Sequence, residues 1–403
     1  MKRLTSSAAA IAVLAALAIP LGARQARSVE IDALLKAAVD QKRVPMVVAM
    51  VADGKGIVYE GAHGANKDAI FAIASMTKPI TSVAAMQLVE AGKIKLDEPA
   101  ATYVPEIGAV RVLDNGTLRP PKTPITVRHL LTHTAGFGYE FMRKELFELV
   151  AKKQLPSMMA GGDAFLQAPL LFDPGTRWEY GINTDWMGRL VEKVSGRSLE
   201  VYFREHIFNP LGMADSYFDV PAGKQARIVP RAQRRADGGL DAQPAPPAKP
   251  DTFYSGGGGL YSTAPDYLRF VRAIMAGGQL DGRRILSQQS VAEMRKNQIG
   301  NLTLRPFSSI VPQLAVDGAA LPGALDKFGL GFASNSQTAG TSRGRNTMVW
   351  AGIYNTYFWI DTEKQIGAVI MSQMLPGGDP AALKLVEDFD RAVYAMKPSA
   401  SHR

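Results

Sequence analysis

Phe71-Ala72-Ile73-Ala74-Ser75-Met76-Thr77-Lys78-Pro79-Ile80 opens an Ala-, Met- and Leu-rich run that closes at Gly92. Pro79 falls where a first helical turn needs no N–H, and Gly92 suits a C-terminal cap. With Ser75 as N-cap, the stretch predicts one helix over 76–91. Ser75 and Lys78 then share one helix face, a turn apart. A serine hydroxyl is a poor nucleophile until a neighbouring group takes its proton, and a lysine in that place can do so. The positive end of the helix favours an oxyanion and opposes a charge on the lysine. A lone S-x-x-K is a weak signal, since about one match arises by chance in a chain this long. Here it is the only match, and an exposed lysine would be out of place in so apolar a stretch.

The elements around this helix alternate. Upstream, residues 31–41 have helical spacing, and two β-rich runs at 46–52 and 56–60 flank the turn Asp53-Gly54-Lys55-Gly56. Downstream, helical patterns dominate from Asp97 to Gly212: 126–132, 140–149, 185–195 and 199–207. Residues 219–252 are rich in Pro, Ala, Arg and Gly without apolar periodicity, and read as a long loop. Helices follow at 264–275 and 287–296, then strands at 347–351, 356–361 and 366–372, short-spaced and so antiparallel, and a last helix at 380–395.

The 403-residue chain is 46% apolar and 21% charged, values of a packed globular protein. Its formal charge of +9 favours anionic solutes or surfaces, but no Lys/Arg tract, RNP-like pattern or zinc-finger spacing supports a nucleic-acid role. The absence of cysteine removes thiol nucleophiles, disulfides, thiolate metal sites and lipid-modified cysteine together. Lys2 and Arg3 precede an apolar, small-residue stretch from Ala8 to Ala18, too short for a comfortable span. Residues 1–26 therefore read as a secretory signal peptide with cleavage after Ala23 or Ala26, which predicts a periplasmic or secreted protein without a stable membrane span once mature.

Tyr180 stands in Pro174-Gly175-Thr176-Arg177-Trp178-Glu179-Tyr180-Gly181, just before a predicted helix. A phenol beside a lysine can relay protons between serine and leaving group. Ser75-Met76-Thr77-Lys78, Tyr180 and Trp350-Ala351-Gly352 stand in the order of the three motifs of the serine β-lactamase-related superfamily, and the chain resembles its class C branch. The resemblance extends through Leu130-Leu131-Thr132-His133-Thr134-Ala135-Gly136, the Asp173-Pro174-Gly175-Thr176 approach, Gly256 to Ser262 with Asp266, and Phe358-Trp359-Ile360-Asp361. It implies Ser75 as nucleophile, Lys78 and Tyr180 as the proton-transfer pair, and an oxyanion hole from the backbone N–H groups of Ser75 and Ile353.

The implied fold is α+β: an antiparallel sheet flanked by helices, built from 28–100 and 254–397, with an inserted all-helical subdomain at 101–218, the loop at 219–253, and the active site in the cleft between. No cofactor or metal is called for. Two departures bear on the substrate. Where the motif Y-x-N holds a substrate amide with Asn, Tyr180-Gly181-Ile182 has Ile, with Asn183 one place late. Where K-T-G attracts a carboxylate with Lys, the chain has Trp350-Ala351-Gly352. Such replacements are similar to those of family VIII carboxylesterases. A wall of Trp350, with Ala351 and Gly352 as the other substrate-binding positions, favours neutral, apolar groups. The expected function is a carboxylesterase on small or medium esters; a β-lactamase or D,D-peptidase, and a non-catalytic sensor, are the alternatives. The oligomeric state has no sequence signal.

Rival motifs fail on context. Gly340-Thr341-Ser342-Arg343-Gly344 matches a nucleophile elbow, but the following residues 345–350 read as strand where a helix is required. His129 and His133 have zinc-like spacing without a Glu base or third ligand, Gly256 to Gly259 lacks a following G-K-[ST], and His63 and His206 show no partner. Trp178, Trp186 and Trp359 are expected in the core or the pocket wall.

Overall fold

The computed structural model describes residues 21–245, 253–319, 321–338 and 342–396. Its centre is a seven-stranded antiparallel sheet with spatial order Lys327–Phe328, Ala333–Ser334, Met348–Gly352, Thr356–Asp361, Ile366–Met371, Val47–Asp53 and Gly56–His63. The N-terminal strand therefore pairs with the C-terminal one, Met50 opposite Val369, and both ends of the chain build one sheet.

Alternation explains why these strands read as unbroken apolar runs. Val48, Met50 and Ala52 enter the larger core with Phe358 and Val369. Val47, Ala49 and Val51 enter a second core with Trp359, Ile370 and Phe389. A sheet covered on both faces needs apolar residues at every position, each fully buried aliphatic contributing roughly 1.5–3 kcal/mol. The second face is covered by the helices Leu21–Asp40 and Pro380–Ala395. Asp379 starts the latter by accepting from the N–H groups of Ala381 and Ala382 at 3.0 and 3.1 Å. The first face is covered by the helix Ala264–Met275, which matches its predicted limits.

Three expectations are corrected. The inserted segment is not all-helical: besides helices such as Val127–Leu131, Lys144–Ala151 and Asn183–Ser195 it holds a hairpin, Val112–Asp114 with Thr117–Arg119. The loop expected at 219–253 contains a 3-10 turn, Ala222–Arg227, and paired strands Arg231–Arg234 and Leu240–Gln243, the first lying parallel to Met374–Leu375. Its strands lack apolar alternation because half their positions hold arginines and glutamines, of which Gln233 and Arg234 bond to other loops. Arg234, for instance, forks onto Asp379 at 2.8 and 3.0 Å and onto the Arg43 carbonyl at 2.6 Å. The remainder of that segment, 246–252, lies outside the described residues. The third correction concerns Ser75, and is given with the site.

Most of the predicted signal peptide, 1–20, also lies outside the described residues. The described helix begins at Leu21, upstream of both expected cleavage points. Among the described residues no helix is long and apolar enough to cross a membrane.

Candidate active site

Ser75 is not a helix N-cap. It lies inside a 3-10 turn, Ala74–Met76, and the α-helix runs from Thr77 to Glu90. The turn begins at Ala74 with φ +43°, a left-handed conformation that costs a non-glycine residue on the order of 1–3 kcal/mol and is retained where the surroundings impose it. Those surroundings are visible. Thr77 Oγ1 donates to the Ala74 carbonyl at 2.7 Å and accepts from Leu260 N–H at 3.1 Å, and Tyr267 Oη holds the Met76 carbonyl at 2.8 Å. Serine chemistry explains why the N-cap expectation looked sound, since Ser suits both positions. The tight turn is imposed from outside the stretch.

Around Ser75 Oγ the polar groups converge. Tyr180 Oη donates to it at 2.6 Å and Lys78 Nζ at 3.2 Å. Lys78 is 1% exposed, so its ammonium must be satisfied by protein, and its other two bonds go to the Gly257 carbonyl at 2.6 Å and Tyr139 Oη at 2.8 Å. Nζ also lies 4.8 Å from the Tyr180 ring centroid. Asp185, fully buried, accepts from Ser255 Oγ at 2.6 Å and Gly257 N–H at 3.1 Å, which fixes the glycine whose carbonyl meets the lysine. Burial raises the Asp185 carboxyl above its ordinary range, with the nearby Lys78 charge opposing the shift.

Tyr139 was not identified from the sequence. Burial pushes its phenol well above the ordinary range, and neighbouring Tyr180 and Asp185 push it further, so it serves as a neutral partner. Tyr139 and Tyr180 meet edge to face at 5.1 Å because their loops touch at Gly181, where a Cβ would stand 2.4 Å from the Phe137 carbonyl oxygen. The one available signal was Gly136-Phe137-Gly138-Tyr139, directly after the recognised segment that ends at Gly136.

The strand Met348–Gly352 closes the other side. Gly352 packs so near the nucleophile turn that a Cβ would lie 2.3 Å from the Ile73 carbonyl oxygen, and Ser75 and Ile353 both line the same cavity. That cavity has a volume of about 310 Å³. Beyond its polar floor it is walled by Trp350, Phe307, Phe141, Met142, Met158 and Leu321, and among the described residues Asp185 is the only charged one lining it. Trp350 itself is fully buried, edge-on to Tyr180 at 5.2 Å and stacked over His133 at 6.3 Å.

The displaced amide does not face this space. Asn183 Nδ2 donates to His133 Nδ1 at 2.9 Å, while Ile182 is buried and neither lines the cavity. Burial, reinforced by the Lys78 charge, holds His133 well below the usual imidazole range, so it is neutral. His129 closes a capping box with Thr126, and among the described residues no acid and histidine group is arranged to hold a metal. His63, expected to lack a partner, meets Asp32 at 3.1 Å, and His206 packs on the Tyr202 ring at 4.4 Å. The Ser342 carbonyl accepts from Lys364 Nζ at 2.6 Å, and Ser342 does not line the cavity. Trp186 and Trp359 are core residues, the latter under the Arg343 guanidinium at 4.6 Å.

A two-faced sheet with a helical insertion and a Ser-x-x-Lys turn at the cleft between them is the architecture of the β-lactamase and penicillin-binding-protein class. The chain belongs to the β-lactamase family, whose model matches residues 31–391, and it is a serine hydrolase of that fold. It is 30% identical to the acyltransferase calJ of Penicillium decumbens, over 87% of this chain and 86% of that one. It is 28% identical to the lovastatin esterase of Penicillium rubens, over 90% and 97%. The unliganded structure of simvastatin synthase LovD from Aspergillus terreus superposes with a TM-score of 0.80 at 28% identity, covering 93% of this chain and 99% of that one.

Proposed function

We propose that the protein is an exported carboxylesterase that works through an acyl-Ser75 intermediate on small or medium esters with neutral acyl groups. The observation that carries this reading is a serine within 2.6 Å of a phenol and 3.2 Å of a buried lysine amine, at the floor of a cavity lined by no cation among the described residues. In the reactive form the Lys78–Tyr180 pair holds one proton fewer than an ammonium and a phenol together, so when Ser75 Oγ attacks the ester carbonyl its proton passes into the pair. The pair returns a proton to the leaving alcohol as the C–O bond breaks. A second hydroxylic molecule then attacks the acyl-enzyme and gives its proton to the same pair, which restores the serine. The two groups act as one coupled unit, so the proton is assigned to the pair. Backbone N–H groups of Ser75 and Ile353 form the oxyanion hole, a pairing supported by the close approach of Gly352 to the turn.

The second attacking molecule is water in an esterase and an alcohol in an acyltransferase. The relatives named above include both kinds, and an apolar cavity that admits little water favours a competing alcohol. A β-lactamase or D,D-peptidase role is opposed by Ile182 and Trp350, which stand where amide and carboxylate recognition would be needed. The intact triad opposes a purely binding role.

Intact-mass analysis after treatment with a fluorophosphonate, followed by a panel of aryl esters, nitrocefin and D-Ala-D-Ala amides, tests this. A single adduct on Ser75 and turnover of esters are expected, and Ser75→Ala should lower kcat by about 10⁵-fold. Absence of an adduct, with activity surviving in Ser75→Ala, overturns the mechanism. Export is supported by Lys2, Arg3 and the apolar stretch that follows, and N-terminal sequencing of the mature protein from a periplasmic fraction or medium checks it.

A further inference from the structure

The apolar cavity has a cation just outside its wall. Tyr354, one residue past Ile353, lines the cavity, and the Arg231 guanidinium lies 5.8 Å from its ring centroid. Nη1 reaches the Tyr354 hydroxyl at 3.5 Å, a weak bond, and among the described residues the Arg231 side chain has no other hydrogen-bond or carboxylate partner. Most of its fork of N–H donors is therefore unused.

The strand fixes which way Arg231 faces. In Arg231–Arg234 alternate residues share a face. Ala232 enters the second core and Arg234 is consumed by Asp379 and the Arg43 carbonyl, which defines the inward side. Gln233 lies on the other side and donates to the Gln313 carbonyl at 3.2 Å, beside the cavity-lining Ala315 and Val316. Arg231 shares that side. Arg234 shows what a structural arginine looks like here, with a bidentate acid and carbonyl partners. Arg231 is half-buried and has none of these.

We infer that Arg231, with the phenol of Tyr354, forms an anion subsite that holds a carboxylate on the alcohol half of the substrate. This rests on the acyl-Ser75 reading and deepens it. The neutral acyl chain lies against Trp350 and Phe307, and the alcohol half extends past Ile353 to the guanidinium. Trp350 lies in the strand Met348–Gly352 and Tyr354 in the turn that follows it, so the two ends of one small ester are recognised by opposite chemistry. The position of the family's usual carboxylate-binding lysine is filled by Trp350, and the charge is supplied from a different element. A chain of formal charge +9 also favours association with such anions.

The test uses matched esters. A butyrate ester of 4-hydroxyphenylpropionic acid is compared with the butyrate of its methyl ester, and an aryl monoester of glutaric acid with the aryl butyrate. The first pair places the carboxylate on the alcohol half, the second at the acyl end. The readout is the ratio of kcat/KM, charged over neutral, which partial misfolding leaves untouched because both substrates see the same active enzyme. Arg231→Gln should lower the first ratio about tenfold and leave the second unchanged, with Arg231→Lys restoring part of the loss. Tyr354→Phe should lower the first ratio about twofold. In the wild type, added salt should lower the first ratio more than the second. A first ratio insensitive to both salt and Arg231→Gln overturns the subsite, and a loss confined to the second pair overturns its assignment to the alcohol half. Loss of turnover on every neutral ester in the wild type would instead count against the acyl-Ser75 reading itself.

Discussion

The floor and the walls of the one cavity are built on opposite rules. On the floor, buried Lys78, Tyr139 and Tyr180 and half-buried Ser75 are polar and bonded together through the lysine and the serine hydroxyl, and the lysine uses three oxygens at 2.6, 2.8 and 3.2 Å. On the walls, Trp350, Phe307, Met142 and Met158 make no directional bond to the floor and fill space by shape. An ammonium in so dry a place is tolerable only when its donors are met, so the floor admits few substitutions. A wall exchanges one apolar residue for another at a cost usually below about 1.5 kcal/mol. Chemistry is thus held by the part that cannot drift, and substrate choice by the part that can.

That contrast can be broken at several points. The largest effect expected beyond Ser75→Ala is from Tyr180→Phe, which deletes the hydroxyl nearest the nucleophile and should lower kcat by about 10³-fold with the circular dichroism spectrum unchanged. A loss within a few-fold would show that Lys78 handles the proton alone. Tyr139→Phe removes one acceptor from Lys78 and should lower kcat about tenfold. Because the Tyr139 phenol is held well above the ordinary range, it stays protonated as pH rises through the working range, so the basic limb of the pH–rate profile should stay in place. A displaced basic limb would make Tyr139 a titrating member of the floor. The smallest effect belongs to the wall. Phe307→Ala should lower the kcat/KM ratio of hexanoyl over acetyl esters about fivefold, measured on aryl esters of the two chain lengths. A similar loss for both chains would place Phe307 with the floor.

The same division governed what could be read in advance. Ser75, Lys78 and Tyr180 were legible because proton transfer demands particular residue types at short spacing or in a known order. Two-faced burial made the strands at 348–352, 356–361 and 366–371 legible, since the positions between their ends are apolar on both faces. Tyr139 was not, because a tyrosine in a glycine-rich loop looks the same whether it packs or bonds a lysine. The strands Arg231–Arg234 and Leu240–Gln243 were missed for the reverse reason. They pair through backbone groups, which no side-chain pattern reports, and their arginines gave the composition of a loop.

The sequence by itself marked the apolar strands and the helix after Thr77, and its family motifs pointed to Ser75, Lys78 and Tyr180, which the fold brings within hydrogen-bond reach of one another. Only the tertiary structure decided that Ser75 sits in a 3-10 turn behind a left-handed Ala74, that Tyr139 completes the lysine's partners, and that Arg231 reaches the rim of an uncharged wall. Each of these depends on contacts between segments remote in the chain: Leu260 on Thr77, Gly181 on Phe137, Arg231 on Tyr354. Spacing along a chain encodes the partners within a helical turn, whereas those across a cleft are fixed only when the packing of the whole molecule brings them together.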